Sequence, residues 1–382
     1  MILHLTDDQK FINGAYDMFE KYYPGLNHFF IQVPRKEKGV AQNVNKRERL
    51  FFIALTEKKE LNLIYAYARK NNIKHVLIHY LNPNKAAIAN HLKKHLGAKT
   101  YWLFYGSDLY SRLFEEGKYE LHDDALMNKR VVHYKKSIPH HILFYLLHKQ
   151  SLGQAFRQFV KELDFFCFWN IYDYRLLQLN YTTKAEHKTF FYYHMVDRKN
   201  YYRMPEKSLI KVMVNHSASR NGNHKTVLSK LKRLDDLNQI SKIFAPLSYG
   251  DSNIRSEVIL NGTKDFGVKF IPIIKFMPVD EYYQFLDEIS VAIFGNRRQE
   301  GGGNVFYLLS IGVKVFLRNE NNMIQYLRDQ GFKVFSFEDD LNSTEDLKPL
   351  TEVEMKTNFN AYVMLFSQQQ ETLTMQKLIA QC

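Results

Sequence analysis

The stretch from Glu288 to Asn321 constrains this chain more tightly than any other. Ile289-Ser-Val-Ala-Ile-Phe294 has the length and branching of a buried strand, and Gly295-Asn-Arg-Arg-Gln-Glu-Gly-Gly-Gly-Asn304 is a basic, glycine-rich loop. Val305-Phe-Tyr-Leu-Leu-Ser-Ile-Gly312 then reads as a helix closed by Gly312, and Val313-Lys-Val-Phe-Leu-Arg-Asn-Glu320 returns to a strand pattern. Strand, loop, helix and strand in this order are the repeating unit of a parallel sheet covered by helices. Gly301, Gly302 and Gly303 let backbone amides approach a ligand, a helix starting near Asn304 presents unpaired N–H groups, and Arg297 and Arg298 add positive charge. The loop is therefore a phosphate-binding arrangement, with a solvent-exposed tight turn as the alternative.

The same alternation runs through the whole chain. Strand patterns occur at Ile2–Leu5, Asn27–Val33, Leu50–Leu55, His75–His79, Thr100–Phe104, Phe165–Phe168 and Thr189–Tyr193, with helical patterns such as Lys59–Lys70 and Asn84–Leu96 between them. A second series follows at Leu209–Val214, Ile243–Ala245, Val268–Ile271, Ser290–Phe294, Val313–Leu317 and Phe332–Phe335. At 382 residues the chain exceeds what one core usually serves. The expected fold is α/β, with two Rossmann-like domains facing across a cleft. Their expected bounds are residues 1–198 and 209–352, joined by a polar linker from Asp197 to Ser208, with a last helix in 353–382 crossing back to the first domain.

Hydrophobic residues make up 45% of the chain, ample for two cores, and no run approaches the ~20 apolar residues a spanning helix needs. No signal-peptide pattern precedes Ile2–Leu5, and Cys167 and Cys382 form neither a disulfide framework nor a zinc pattern, so a cytoplasmic protein is expected. The formal charge of +13 is lopsided: residues 1–200 hold 31 Lys+Arg against 19 Asp+Glu, whereas residues 201–382 hold 22 against 21. The first half thus faces something anionic: nucleic acid, a membrane surface or a polyanionic acceptor. Within it, the segment from Pro139 through Lys149 and Arg157 to Lys161 combines apolar and basic residues at helical spacing, which suits either a helix on a membrane surface or a core-facing amphipathic helix.

In parallel sheets ligands bind beyond the carboxyl ends of strands, so the loops there carry the candidate chemistry. Asp7 and Asp8 follow the first strand, where a carboxylate can act as a general base or cap the next helix. His79 and Asn82 follow a later strand and are candidates to line an acceptor site. Tyr105, Asp108 and Tyr110 lie in Tyr105-Gly-Ser-Asp-Leu-Tyr110, a glycine, carboxylate and aromatic grouping suited to a sugar, or a turn with Asp108 as its cap. In the second half, Ser217, Ser219 and Arg220 can hold phosphate oxygens, or serve as caps. Tyr249 can offer a face to a base. His216 and His224 lack metal-ligand spacing, so no metal site is expected.

Four of these loops together resemble one family, the bacterial 4-acetamido-4,6-dideoxygalactose (N-acetylfucosaminyl) transferases of enterobacterial common antigen assembly. The resemblance lies in Gly106-x-Asp108-Leu109-Tyr110, Ser217-x-x-Arg220-x-x-x-His224, Pro246-x-x-Tyr249, and Arg298-Gln299-x-Gly301-x-Gly303 followed by Glu320-Asn321. It implies a GT-B glycosyltransferase without bound metal or other cofactor. Such an enzyme carries the sugar from dTDP to a polyprenyl-diphosphate-linked glycan at the inner face of the cytoplasmic membrane. The donor would be held by Ser217, Ser219, Arg220, His224 and Tyr249 on one side, and by Arg298, Gln299, Gly301, Gly302, Gly303, Asn304 and Glu320 on the other. The acceptor would meet His79, Asn82, Tyr105 and Tyr110, with Asp8 or Asp108 as the catalytic carboxylate and Asp7 not separated from them. The chain departs from the family at Asn215-His216, where Gly-Asn is typical, and at Tyr105, where Trp is typical. A nucleotide-sugar epimerase shares this architecture, and a basic nucleic-acid-binding protein would share the charge, although no nucleic-acid-binding motif is present.

Overall fold

The computed structural model describes residues 1–9, 11–33, 44–45, 47–55, 57–125, 134–193 and 209–379. The expected linker from Asp197 to Ser208 and the terminal Cys382 lie outside them. The chain divides into two compact units, the first made of Met1–Lys118, Val131–Met195 and Gln368–Cys382, the second of Tyr119–Arg130 and Val196–Ser367. Two segments therefore depart from the expected bounds. The piece from Tyr119 belongs to the second unit, and residues 353–367 stay there as well.

In the first unit, β1 (Ile2–Asp7), β2 (Asn27–Gln32), β3 (Leu50–Ile53), β4 (His75–His79), β5 (Lys99–Leu103), β6 (Phe165–Cys167) and β7 (Glu186–Lys188) form a parallel sheet in the order β3-β2-β1-β4-β5-β6-β7. The connecting helices are α1 (Ile12–Tyr22), α2 (Lys58–Lys70), α3 (Pro83–Leu96), α4 (Ser107–Glu115), α5 (Tyr134–His148), α6 (Leu152–Glu162) and α7 (Ile171–Asn180). The order reverses between β1 and β4, the point where open α/β sheets leave a crevice for ligands. Strand residues are buried on both faces, as a helix-covered sheet requires: Ile2, Leu3, Leu5, Val76, Leu77, Ile78, Trp102 and Phe166 are all buried.

In the second unit, β8 (Ile210–Val214), β9 (Ile240–Pro246), β10 (Phe270–Ile273), β11 (Val291–Phe294), β12 (Lys314–Leu317) and β13 (Phe335–Ser336) form a parallel sheet in the order β10-β9-β8-β11-β12-β13, with its reversal between β8 and β11. Its helices are α8 (His224–Lys232), α9 (Ser252–Phe266), α10 (Val279–Asp287), α11 (Gly302–Ser310), α12 (Asn322–Asp329) and α13 (Glu352–Leu365); α14 (Gln368–Leu378) returns to the first unit.

Three expected elements are corrected. Thr189–Tyr193 is not a strand: the strand lies at β7, and the aromatic run behind it is buried by ring contacts, with Phe191 stacked 5.9 Å from Trp169 and the Tyr193 hydroxyl donating to Thr374 of α14. Phe332–Phe335 gives way to a two-residue β13, because the Lys333 backbone is bonded to the Asn358 side chain (2.6 and 3.2 Å) instead of a neighbouring strand. The single last helix is two. α13 opens on a capping box between Thr351 and Glu354 and ends at Phe366, after which α14 docks on α1 through Lys21 and Tyr22 to Glu371 (3.0 and 2.8 Å). The Lys188 ammonium meets the carbonyls of Lys377 and Leu378 at the carboxyl end of α14, where a cation is favoured.

Candidate functional site

The loops after β8, β9 and β11 of the second unit meet at their glycines. A Cβ on Gly295 would lie 2.2 Å from the Gly222 carbonyl oxygen, one on Gly250 would lie 2.5 Å from the Ala218 carbonyl oxygen, and one on Gly301 would lie 2.8 Å from His216 Nδ1. Gly250 and Gly301 also hold φ values of +116° and +69°, which side chains disfavour. Buried asparagines tie the same loops. Asn215 accepts from Gly295 N at 2.8 Å and donates to Gly222 O at 2.9 Å; Asn223 donates to Gly295 O at 3.0 Å; Asn321 donates to Asn296 O and Arg298 O at 3.0 and 2.8 Å. The glycine loop is thus held in one conformation by side-chain amides, and α11 starts directly after it at Gly302, two residues earlier than the sequence pattern suggests.

Polar groups converge in this frame. Arg298 is buried, donates to the Gln299 carbonyl at 2.8 Å and pairs with Glu300 at 2.8 Å. Glu300 also accepts from Asn221 at 3.3 Å and from Ser219. Burial works to raise the Glu300 carboxyl, but Arg298, His216 and these hydrogen bonds outweigh it and hold its pKa below the ordinary range. Burial lowers His216, with Arg298 adding to the effect and Glu300 opposing it, and lowers His224 to about 4, with His216 adding. Tyr249, 51% exposed, stands 6.4 Å from the His216 ring and is hydrogen-bonded to Ser217. Asn304 accepts from Tyr282 at 2.9 Å. His216 Nδ1 and both polar atoms of the Asn296 side chain are buried without a hydrogen-bond partner among the described residues, a capacity that folded proteins normally give to a ligand, ion or water.

The expected donor residues therefore fall into two sets. Ser217, Ser219, His224, Tyr249, Arg298, Gln299, Gly301, Gly302, Gly303 and Asn304 all lie in the loops and helix starts around the β8/β11 reversal, beside His216. Arg220 instead pairs with Asp251 at 2.8 Å, and with Ser219 and His224 it lines a cavity of about 850 Å³ along α8 and α9. Glu320 is engaged through its carboxylate with Arg297 at 3.2 Å and lies 3.8 Å from Arg318. Asp123 completes that network with two bonds to Arg318 (2.7 and 3.1 Å), and Tyr119 donates to the Arg297 carbonyl at 2.5 Å.

In the first unit the expected acceptor residues divide similarly. Asp108, expected as a catalytic carboxylate or as a cap, is held from within the unit. It is buried and already accepts from Leu81 N (3.0 Å), Trp102 Nε1 (2.7 Å) and Tyr105 N (3.3 Å), and burial raises its pKa. Tyr110 is fully buried and donates to Asp173 at 2.5 Å. His79 is also fully buried, in a chain from Asn27 through His4 (3.1 Å) and His79 (2.9 Å) to the Tyr192 hydroxyl (2.7 Å); neither residue lines a surface site. Asn82 caps α3 through Lys85 N at 3.0 Å and donates to Gln32, while Tyr105 is half-buried in edge contact with Tyr80 and Tyr192. Asp8 follows β1, half-buried.

The sequence reading missed Asn223 and Asn321 as loop clamps and Lys85 as a buried cation. Lys85 had a visible signal: it is the charged residue in Asn84-Lys-Ala-Ala-Ile-Ala-Asn90, a run too apolar for a solvated helix face. Among the described residues no group of three or more His, Cys, Asp or Glu is placed to hold a metal ion, and no helix is long and apolar enough to cross a membrane.

Comparison with known proteins fits this geometry. The chain is similar in structure to sucrose-phosphate synthase from Thermosynechococcus elongatus (TM-score 0.67, 10% identity, covering 99% of this chain and 98% of that one). It is also similar to WaaG, a glycosyltransferase involved in lipopolysaccharide biosynthesis (TM-score 0.56, 10% identity, 100% of both chains), and to the E. coli trehalose-6-phosphate structure bound with UDP-2-fluoro glucose (TM-score 0.58, 8% identity, 98% and 97%). These likenesses establish the two-domain GT-B glycosyltransferase fold. No curated protein matches the chain by sequence. Residues 134–352, more than half of the chain, match the family described as 4-alpha-L-fucosyltransferase, glycosyl transferase group 56, and the chain belongs to that glycosyltransferase family.

Proposed function

We propose that this glycosyltransferase moves a deoxyamino sugar, 4-acetamido-4,6-dideoxygalactose, from a dTDP-sugar to a polyprenyl-diphosphate-linked glycan during surface polysaccharide assembly. The observation that carries the reading is the convergence of Arg298, Ser219 and the glycine loop at the β8/β11 reversal. A diphosphate there receives a guanidinium, a hydroxyl and the start of α11, so the charge developing on the leaving group is stabilised by fixed donors, with no metal assigned to the task. Tyr249 supplies a face for the pyrimidine. The sugar is a fucose bearing an acetamido group, which is in keeping with the fucosyltransferase family. That membership also sets aside the epimerase and nucleic-acid readings.

A lipid-linked acceptor places the enzyme at the cytoplasmic face of a membrane, and α5 supports this part of the reading. α6 is core-facing: Ala155, Phe156, Phe159 and Val160 are buried. α5 anchors through Phe144 but leaves Ile142, Leu143, Tyr145 and Leu146 exposed, and exposed Lys149, Arg157 and Lys161 follow it. Apolar side chains beside basic ones suit an anionic lipid surface.

The test is a thermal-shift panel followed by transfer. dTDP or UDP is expected to raise Tm ahead of GDP, ADP and NAD, because a ligand that binds only the native state stabilises it by mass action. Transfer from the dTDP-sugar is expected only with the lipid-linked acceptor. No shift with any nucleotide, or sugar conversion without acceptor, would refute the reading.

A further inference from the structure

Lys85 is completely buried in the first unit, and all three donors of its ammonium are used: Nζ lies 2.6 Å from Asp7 Oδ2, 2.8 Å from His79 O and 3.0 Å from Tyr80 O. Burial lowers its pKa, and the charge and hydrogen bond of Asp7 oppose that shift. Tyr80, whose carbonyl is one of the two that accept from this ammonium, sits at φ +61°, a conformation that a bulky side chain resists and that recurs at functional sites. A methionine would fill the same space without the cost of desolvating a cation, so packing alone does not explain a lysine here.

The pair is asymmetric. The Lys85 side chain is 0% exposed, whereas that of Asp7 is 30% exposed, and Asp7 Oδ1 takes no hydrogen bond from the described residues. Asp7 ends β1 and Tyr80 directly follows β4, the two strands that flank the reversal of the first sheet. A carboxylate is thus fixed by one oxygen from inside the domain and offered by the other at the position where such sheets bind ligands. Asp108 is by contrast buried and accepts from three donors.

Resting on the transferase reading above, we propose that Asp7 is the catalytic carboxylate of the first unit and that Lys85 is the residue that positions it. The acceptor hydroxyl gives its proton to Asp7 Oδ1 as its oxygen bonds to the anomeric carbon of the nucleotide sugar. The bond from that carbon to the β-phosphate oxygen breaks, its electron pair leaves with the nucleoside diphosphate, and Asp7 later returns the proton to water. A general base of this kind contributes about 100- to 10,000-fold in rate.

The experiment measures kcat, donor KM and the dTDP-induced thermal shift for the whole protein and its variants. Asp7→Asn keeps an oxygen for Lys85, so it is expected to fold, to bind dTDP as wild type does, and to lose at least ~100-fold in kcat. Formate added to Asp7→Ala is expected to restore part of the turnover. Lys85→Met and Lys85→Gln separate positioning from structure. Gln keeps a donor for Asp7 and Met packs better, so positioning requires Gln to retain the higher kcat, whereas a structural lysine would favour Met. Added to Asp7→Asn, either Lys85 variant is expected to cost little more, because the two residues act as one unit. Wild-type kcat in Asp7→Asn, loss of turnover in Asp8→Asn instead, or retention of anomeric configuration in the product would overturn the proposal. A wild-type protein that binds no nucleoside diphosphate and transfers no sugar would overturn the transferase reading, and this proposal with it.

Discussion

Arg298 and Glu300 hold one another at 2.8 Å, so a donor diphosphate that uses the Arg298 guanidinium must compete with a carboxylate already in place. Arg298→Ala removes the buried cation opposite the leaving group and is expected to lower kcat by ~100-fold or more. Arg220→Ala is expected to lower it less, because that guanidinium is exposed, screened and shared with Asp251. Glu300→Gln removes the competing charge but keeps a side chain that can bond Asn221, and calorimetric titration is expected to show dTDP binding several-fold more tightly than to wild type. Unchanged or weaker binding would mean that Glu300 serves the donor rather than opposing it. Histidines set the acid limit of the fold. Burial lowers His4 to about 3, His75 to about 4 and His224 to about 4. The unfolded chain takes up protons below about pH 6.5 while these native rings do not until pH 3–4, so their stabilising effect is complete above pH 6.5 and is lost as pH falls through that window. Denaturant titrations between pH 7 and pH 4 are expected to show a slope of about 1.4 kcal/mol per pH unit from His4, absent in His4→Gln, whose amide cannot titrate.

At the scale of elements, the glycine loop is legible in the sequence but its rigidity is not. Gly301 to Gly303 and Arg298 announce a close-approach loop before a helix, whereas the clamps on it come from Asn215, Asn223 and Asn321, two of them outside the stretch that contains it. Asn215→Ala removes two buried hydrogen bonds and puts alanine at φ +57°, and is expected to cost about 2–4 kcal/mol of second-unit stability. Two glycine substitutions separate fold from binding. Gly295→Ala drives a Cβ to 2.2 Å from a backbone oxygen and is expected to lower Tm sharply. Gly303→Ala meets nothing within 4 Å and sits inside α11, where alanine is favoured, so Tm is expected to hold or rise while dTDP binding weakens. If Gly303→Ala binds dTDP as wild type does, the start of α11 does not hold the phosphates. The elements misread from sequence share one cause: at Thr189–Tyr193 and Phe332–Phe335 an apolar aromatic run signals burial, but burial came from ring packing and a side-chain clamp rather than from strand pairing.

For the whole molecule, the lopsided charge and the exposed face of α5 make a joint prediction. Each basic residue near an anionic surface contributes about 1 kcal/mol, so a few suffice for reversible attachment. Cosedimentation with anionic but not zwitterionic vesicles is expected, weakened by salt and by Lys149→Glu, Arg157→Glu and Lys161→Glu together. Ile142→Ser with Leu146→Ser is expected to weaken it too without lowering Tm, since both side chains are more than half exposed. Equal binding to neutral and anionic vesicles would remove the electrostatic part of the reading. Turnover in EDTA is expected to equal that without it, and rescue of a chelator-inhibited enzyme by Mg²⁺ would assign the diphosphate to a metal instead of Arg298.

Two parallel α/β sheets and the glycine loop are legible in the sequence, because period, burial length and backbone permissiveness are local properties of a chain. The sequence narrowed the first-unit carboxylate to Asp7, Asp8 and Asp108 and went no further. Tertiary structure gives them different surroundings, since only the folded sheet brings Lys85 under Asp7 and three donors onto Asp108. It likewise turned His79 and Tyr110 inward and engaged Glu320 with Arg297. Polar residues carry no periodic signal that separates a strut from a site; what separates them is whether the fold satisfies their hydrogen bonds from within or leaves an oxygen at the mouth of the crevice.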